Sequence, residues 1–215
     1  MKPVFERSAR FLHAPVGLGP RACLVAAALL LMITTYFLPL WNLTMFAPQY
    51  QQGLRLDIYS HTLVGGHDGQ DIKEINLLNH YIGMHSLANE DFTEFKWMPF
   101  VIGGIALLML RGAVLGTVKE LVDAAVVFFY FGAFSLWSFV YKLYQYGHDL
   151  APGSPVKVAP FTPPIFGYQK IANFEVYSYP RSGTYVLLGA ILLILIALVV
   201  AWRQRAATGS RPGTP

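Results

Sequence analysis

Four stretches of the chain run for about twenty residues almost without a polar side chain, and the segments between them follow shorter, mixed patterns. A hydrocarbon core about 30 Å thick needs roughly 20 residues at a rise of about 1.5 Å each, with every backbone N–H and C=O bonded inside the segment. Residues 22–41 meet this length without a charge and end in Tyr36, Pro39 and Trp41. Residues 98–118 begin after Trp97 and carry Arg111 toward their far end. Residues 122–141 are crowded with Phe128, Phe129, Tyr130, Phe131, Phe134, Trp137 and Phe139, interleaved with Gly132, Ala133, Ser135 and Ser138, an alternation of large and small residues suited to helix packing. Residues 184–202 are the plainest span. The pattern predicts a membrane protein with a bundle of four transmembrane α-helices. The first span exceeds the apolar region of a signal peptide and no small-x-small cleavage site follows it, so it reads as an uncleaved anchor. Cys23 has no lipobox before it.

Two long segments, 42–97 and 142–183, separate the spans, with a short turn at 119–121 between the second and third. In the first, Leu54, Leu56 and Ile58 alternate with polar neighbours up to Gly65 and Gly66, which predicts a half-buried strand and a turn. Asp71 and Glu74 have the spacing of a capping box, and Ile75, Leu78 and Ile82 form the apolar stripe of a helix that Gly83 stops. The second segment holds Pro152, Pro155, Pro160, Pro163, Pro164 and Pro180, which predicts extended, irregular backbone with one strand over 174–179. Its apolar content suits packing, so the two segments are expected to form one mixed α/β cap. The last dozen residues read as disordered.

Composition agrees: 54% of residues are hydrophobic and 13% charged, and mean hydropathy is +0.44. A single cysteine excludes a disulfide framework within the chain, paired-cysteine zinc sites and a C-x-x-C-H haem attachment. The net charge of +4 is no sign of nucleic acid, because the basic residues sit beside the spans. Lys2, Arg7, Arg10 and Arg21, then Arg111 and Lys119, then Arg203, Arg205 and Arg211 belong to the tails and the short connection, whereas 42–97 holds Arg55, Lys73 and Lys96 against seven acids. The positive-inside rule therefore predicts a multi-pass protein of the bacterial inner membrane, with tails 1–21 and 203–215 cytoplasmic and both long segments periplasmic. Arg111 is expected to snorkel or to pair with Asp123.

Five of the six histidines then face outward. His80 and Met84 lie four apart and would share a face on a continuous helix, whereas a stop at Gly83 leaves their geometry open; an imidazole beside a thioether suits copper, Cu(I) above all. Tyr146-Gly147-His148-Asp149 follows the third span and would add His148 and Asp149 as ligand or supporting group. In the structural alternative His80 is a hydrogen-bonding residue, Met84 fills a gap and His148 staples the segment. His61, between Ser60 and Thr62, and His67, between Gly66 and Asp68, read as solvated. A non-covalent haem lacks an evident histidine pair in opposing spans, and a quinone pocket would have to use the rings of the third span. The short count of spans and the scarcity of intramembrane charges speak against a transporter. No nucleophile, zinc-protease or phosphate-loop motif is present, which predicts a protein that is not an enzyme.

Three strings, LPLWNLTMFAPQYQQGLRLDIY, INLLNHYIGM and YGHDLAPGSPVKV followed by PPIFGYQKIANFEVYSYPRSG, resemble a sparsely characterised family of small four-span bacterial inner-membrane proteins. Its patterns are similar to APQYPEGL, INxLNHYIGM and YGHxLxPxAPIKV with a later NF. Asn79, His80, Tyr81, Gly83, Met84, His148 and Asn173 match, while Gln51, Gln52 and His85 depart, His85 standing where a lysine is common. Some members look to be encoded beside genes for nitrous oxide respiration and copper-site assembly. The resemblance implies an accessory protein that assists assembly, metal supply or anchoring of a copper-dependent periplasmic respiratory enzyme. Its partners would be the lipid bilayer and a redox protein complex. It implies no ligand set; His80, Met84, His148 and Asp149 stand as metal candidates, with Asn79, Tyr81, Gly83 and Asn173 supporting. A non-catalytic scaffold subunit and an electron-transfer subunit holding haem or quinone remain as alternatives.

Overall fold

The computed structural model describes residues 11–171 and 173–209. The outer parts of both tails, with Lys2, Arg7, Arg10 and Arg211, lie outside the described residues. In chain order the elements are α1 (Leu18–Phe37), β1 (Trp41–Ala47), β2 (Tyr50–Ile58), β3 (Leu63–Gly65), α2 (Gln70–Ile82), α3 (Glu94–Leu115), α4 (Val118–His148), β4 (Gly167–Ile171), β5 (Phe174–Pro180) and α5 (Ser182–Gly209). Among the described residues four helices, α1, α3, α4 and α5, are long and apolar enough to cross a membrane. Their bounds differ from the predicted ones for local reasons. Leu38 precedes a proline, which disfavours helical backbone, so α1 stops at Phe37 and Trp41 opens a strand. Glu94 supplies an acid to the first turn of α3, which begins before the apolar run. α4 continues past the apolar run to His148 because Leu143 and Gly147 keep a buried face on its last turns. α5 extends to Gly209, so 204–209, read as disordered, are helical, and 210–215 lie outside the described residues.

The chain divides into two compact units. The first takes 11–33, 100–132 and 186–209. Its buried positions are rich in small side chains, Ala27 and Ala28 on α1, Ala106 and Gly112 on α3, Ala124 on α4, Ala190, Ala197 and Ala201 on α5, which let backbones approach. α3 and α4 are joined by Gly116 and Thr117 alone, tighter than the turn predicted at 119–121. Val16 N–H donates to Gly116 O at 2.8 Å and Val118 N–H to Ala14 O at 3.0 Å, pairing the segment before α1 with this turn. Arg111 Nη2 donates to Glu120 Oε1 at 3.2 Å. The expected partner was Asp123; the short turn brings the first turn of α4 opposite the last turns of α3, and Glu120 is the acid there.

The second unit takes 34–99 and 133–185, with Ala172 undescribed. Its centre is a five-stranded antiparallel sheet in the order β3-β2-β1-β5-β4. The strand predicted through Leu54 to Gly65 is two strands, because Tyr59 N–H bonds back to Thr62 O at 2.9 Å. β1 pairs with β5 from Trp41 opposite Pro180 to Phe46 opposite Glu175, so both long segments build the same sheet, as their apolar content implied. Ala47, Leu54, Leu56 and Leu63 on one sheet face bury Ile75 and Leu78 of α2. The predicted capping box is not formed. Gly69 precedes α2, while the buried Asp71 carboxylate accepts from Arg55 N–H and from His67 Nδ1, both at 2.8 Å. Glu74 accepts instead from Gln70 Nε2 and from the Tyr50 hydroxyl.

Candidate functional site

α2 ends in a Schellman motif: Gly83 has φ of 82°, Met84 N–H donates to Asn79 O at 2.9 Å and Gly83 N–H to His80 O at 3.2 Å. Two carbonyls left beyond the helical ladder then receive another segment. Ala151 N–H donates to Gly83 O at 2.8 Å and Val156 N–H to Tyr81 O at 2.9 Å. The stretch after α4 is thereby fastened to the end of α2 through backbone hydrogen bonds. A Cβ at Gly83 would meet Ala151 O at 2.9 Å, which is a second reason for glycine at this position.

Around this junction the candidate residues take distinct places. Asn79 is buried and donates through Nδ2 to His85 O at 3.4 Å. Met84 is half-buried, and His80 is exposed on α2. His85 Nε2 lies 3.1 Å from Asp149 Oδ2. His148, the last residue of α4, bonds through Nδ1 to Tyr144 O at 3.0 Å and stacks on the Tyr144 ring at 3.8 Å. Among the described residues no three or more His, Cys, Asp or Glu side chains come together as a metal-holding group.

Tyr81 and Asn173 meet at a pocket of about 250 Å³, lined besides by Gln49, Leu78, Ile82, Val156 and Phe174. Its floor is aliphatic and aromatic, and its polar groups are two amides and a phenol, none of them charged. Each lining residue belongs to one of the three strings quoted above. The resemblance singled out Tyr81 and Asn173 but not Gln49, Val156 or Phe174, which come from the β1–β2 connection, from the segment held by the Val156–Tyr81 bond and from the start of β5.

His61 and His67, expected to be solvated, both take partners. His61 Nδ1 lies 3.0 Å from Thr35 O at the end of α1, and His67 is held by Asp71 on backbone with φ of 49°. Near α2, the Tyr50 hydrogen bond holds the Glu74 carboxyl below its ordinary range, and the same bond raises the Tyr50 phenol. Burial, then the nearby Glu175, raises the Tyr168 phenol on β4. Comparison with protein-family models, with curated proteins and with solved structures finds no match to this chain.

Proposed function

We propose that this is a multi-pass protein of the bacterial inner membrane, both termini cytoplasmic, whose α/β unit is a periplasmic cap serving a copper-dependent respiratory enzyme as an accessory for assembly, metal supply or anchoring. Four helices of spanning length and composition support the membrane reading. The basic residues of the tails and of the α3–α4 connection support the sidedness. One observation carries the accessory reading. The three strings that resemble the four-span family converge at the end of α2, where Tyr81 and Gly83 hold 151–156 and where the uncharged pocket opens. A built, mainly apolar surface with a few placed polar groups suits recognition better than turnover. His80, in the last turn of α2, and Met84, just past its Gly83 stop, flank Tyr81 and Ile82 in sequence and would offer copper an imidazole and a thioether, with His148 and Asp149 just before the fastened segment.

The test is retention of Cu(I) by the purified, washed protein, together with the proteins that accompany it from mild detergent. Loss of copper in a His80→Ala, His148→Ala variant, with its fold and partner retained, is the expected result. Equal copper in wild type and variant would remove metal supply. A second reading, a non-catalytic scaffold, is favoured by the engagement of Asp149 with His85 and of His148 with Tyr144, which gives these side chains structural work. Under that reading the double variant changes partner recovery and leaves copper untouched.

A further inference from the structure

Side chains alternate along β2, so Leu54 and Leu56 face α2 while Arg55 and Asp57 lie on the opposite face of the sheet. There Asp57, its side chain 8% exposed, gathers two cations. Its Oδ1 accepts from Asn42 Nδ2 at 2.8 Å and lies 3.6 Å from Arg181 Nε; its Oδ2 lies 3.1 Å from Arg55 Nε. The Thr44 hydroxyl donates to Asn42 Oδ1 at 2.8 Å, which fixes the amide with its nitrogen toward the carboxylate. Both guanidinium groups are thus aimed through Nε. Their terminal nitrogens take no other partner among the described residues, and the side chains are 53% and 45% exposed. One carboxylate against two arginines leaves a net positive charge with free, fork-shaped donors.

The location narrows the ligand. Arg181 directly precedes α5, its N–H donates to Leu40 O at 2.9 Å, and Trp41 pairs with both Pro180 and Ile58. The cluster therefore stands where α1 ends and α5 begins, and both helices have the length and composition of spans. Tyr36 and Tyr185 are exposed at the same helix ends, the residue type that settles at headgroup depth.

We infer that Arg55 and Arg181 form a clamp for a phosphate group, and that the phosphate belongs to the headgroup of an anionic phospholipid in the leaflet that these helix ends reach. Planar guanidinium groups match phosphate oxygens two at a time, and Asp57 supplies the preorganisation that two free arginines would lack. The inference rests on α1 and α5 being spans, not on copper or on any partner.

The full chain is placed in nanodiscs of phosphatidylcholine alone or of an equimolar mixture with phosphatidylglycerol, and lipid retained by the protein is counted by native mass spectrometry alongside thermal unfolding. Wild type is expected to keep phosphatidylglycerol and to melt higher in the mixed discs. Arg55→Lys, Arg181→Lys keeps the charge beside Asp57 but loses the fork, and Arg55→Gln, Arg181→Gln loses both. Retention should fall several-fold in the first and roughly tenfold or more in the second, while Lys170→Gln, on β4, leaves it unchanged. Equal retention in wild type and both double variants overturns the clamp. If inorganic phosphate added to phosphatidylcholine discs raises the melting point as much as phosphatidylglycerol does, and the arginine variants abolish that rise, the lipid assignment is overturned in favour of free phosphate. Preference for an acidic peptide over either overturns phosphate altogether. A chain that does not enter the discs overturns the membrane reading and the clamp with it, whereas entry without lipid preference overturns the clamp alone.

Discussion

Gly83 and Gly147 both lack a side chain where one would collide, but only the first was legible in the sequence. Gly83 follows an apolar stripe at the place where a helix must stop, and its φ of 82° is left-handed backbone that other residues enter at a cost of about 1–3 kcal/mol. Gly83→Ala adds to that cost the approach to Ala151 O, so a loss of about 2 kcal/mol or more is expected in thermal unfolding. The Ala151 amide should also lose its protection from hydrogen exchange. Gly147 sits inside α4, where alanine is ordinarily the better helix former. A Cβ there would overlap the Phe161 carbonyl, and Phe161 N–H donates to Gly147 O at 3.0 Å. Gly147→Ala is therefore expected to keep the helix and to free the 161–163 segment, which limited proteolysis reads. No local pattern announces this, because the colliding residue arrives from a proline-rich segment with no period of its own. The Tyr50–Glu74 bond makes a third prediction. Glu74 is lowered in the fold, so its contribution is present above the ordinary carboxylate range and fades as pH falls through the lowered value. Tyr50 is raised, so its contribution is present below the ordinary phenol range and fades as pH rises through the raised value. Tyr50→Phe should flatten the stability–pH curve of the α/β unit at both ends, measured by exchange of the α2 amides.

Helices of spanning length announce themselves by unbroken apolar runs, and α2 by its stripe, so these elements were legible apart from their ends. The strands were less so. β1 begins with Trp41, which continues the apolar run of α1 and was counted with it, and β4 lies among prolines and glycines, where no alternation announces its pairing with β5, Ile171 opposite Phe174. The α3–α4 hairpin shows how a turn decides a partner. With only Gly116 and Thr117 between the helices, Glu120 and not Asp123 meets Arg111. Glu120 is buried while Arg111 is more than half exposed, so the pair is screened on one side and worth less than a fully buried one. Glu120→Ala should lower the stability of the detergent-solubilised protein by about 1 kcal/mol, and Asp123→Ala should leave it unchanged. The reverse order in differential scanning fluorimetry would mean that the turn is longer in solution.

For the whole molecule, the pairing of β1 with β5 constrains how the chain can thread a bilayer. β1 follows α1, and β5 precedes α5; between them lie α3 and α4. Strands that share a ladder occupy the same side, so α3 and α4 must both cross or both fail to cross. A length of 22 residues for α3 and 31 for α4 makes crossing the answer consistent with their composition. If both cross, the two segments that build the sheet share one side of the bilayer and Lys119, just past the Gly116–Thr117 turn, takes the other. That parity does not by itself say which side is the cytoplasm; the basic residues supply the sign. With Cys23 replaced by Ser, single cysteines at Lys73 or Lys157 are expected to react with an impermeant maleimide in intact cells whose outer membrane has been opened, and a cysteine at Lys119 only after lysis. Labelling of all three positions before lysis would break the parity and with it the four-span threading. Labelling of Lys119 alone would keep the parity and invert the sign, putting the sheet, His80 and His148 in the cytoplasm, where a periplasmic copper enzyme could not reach them.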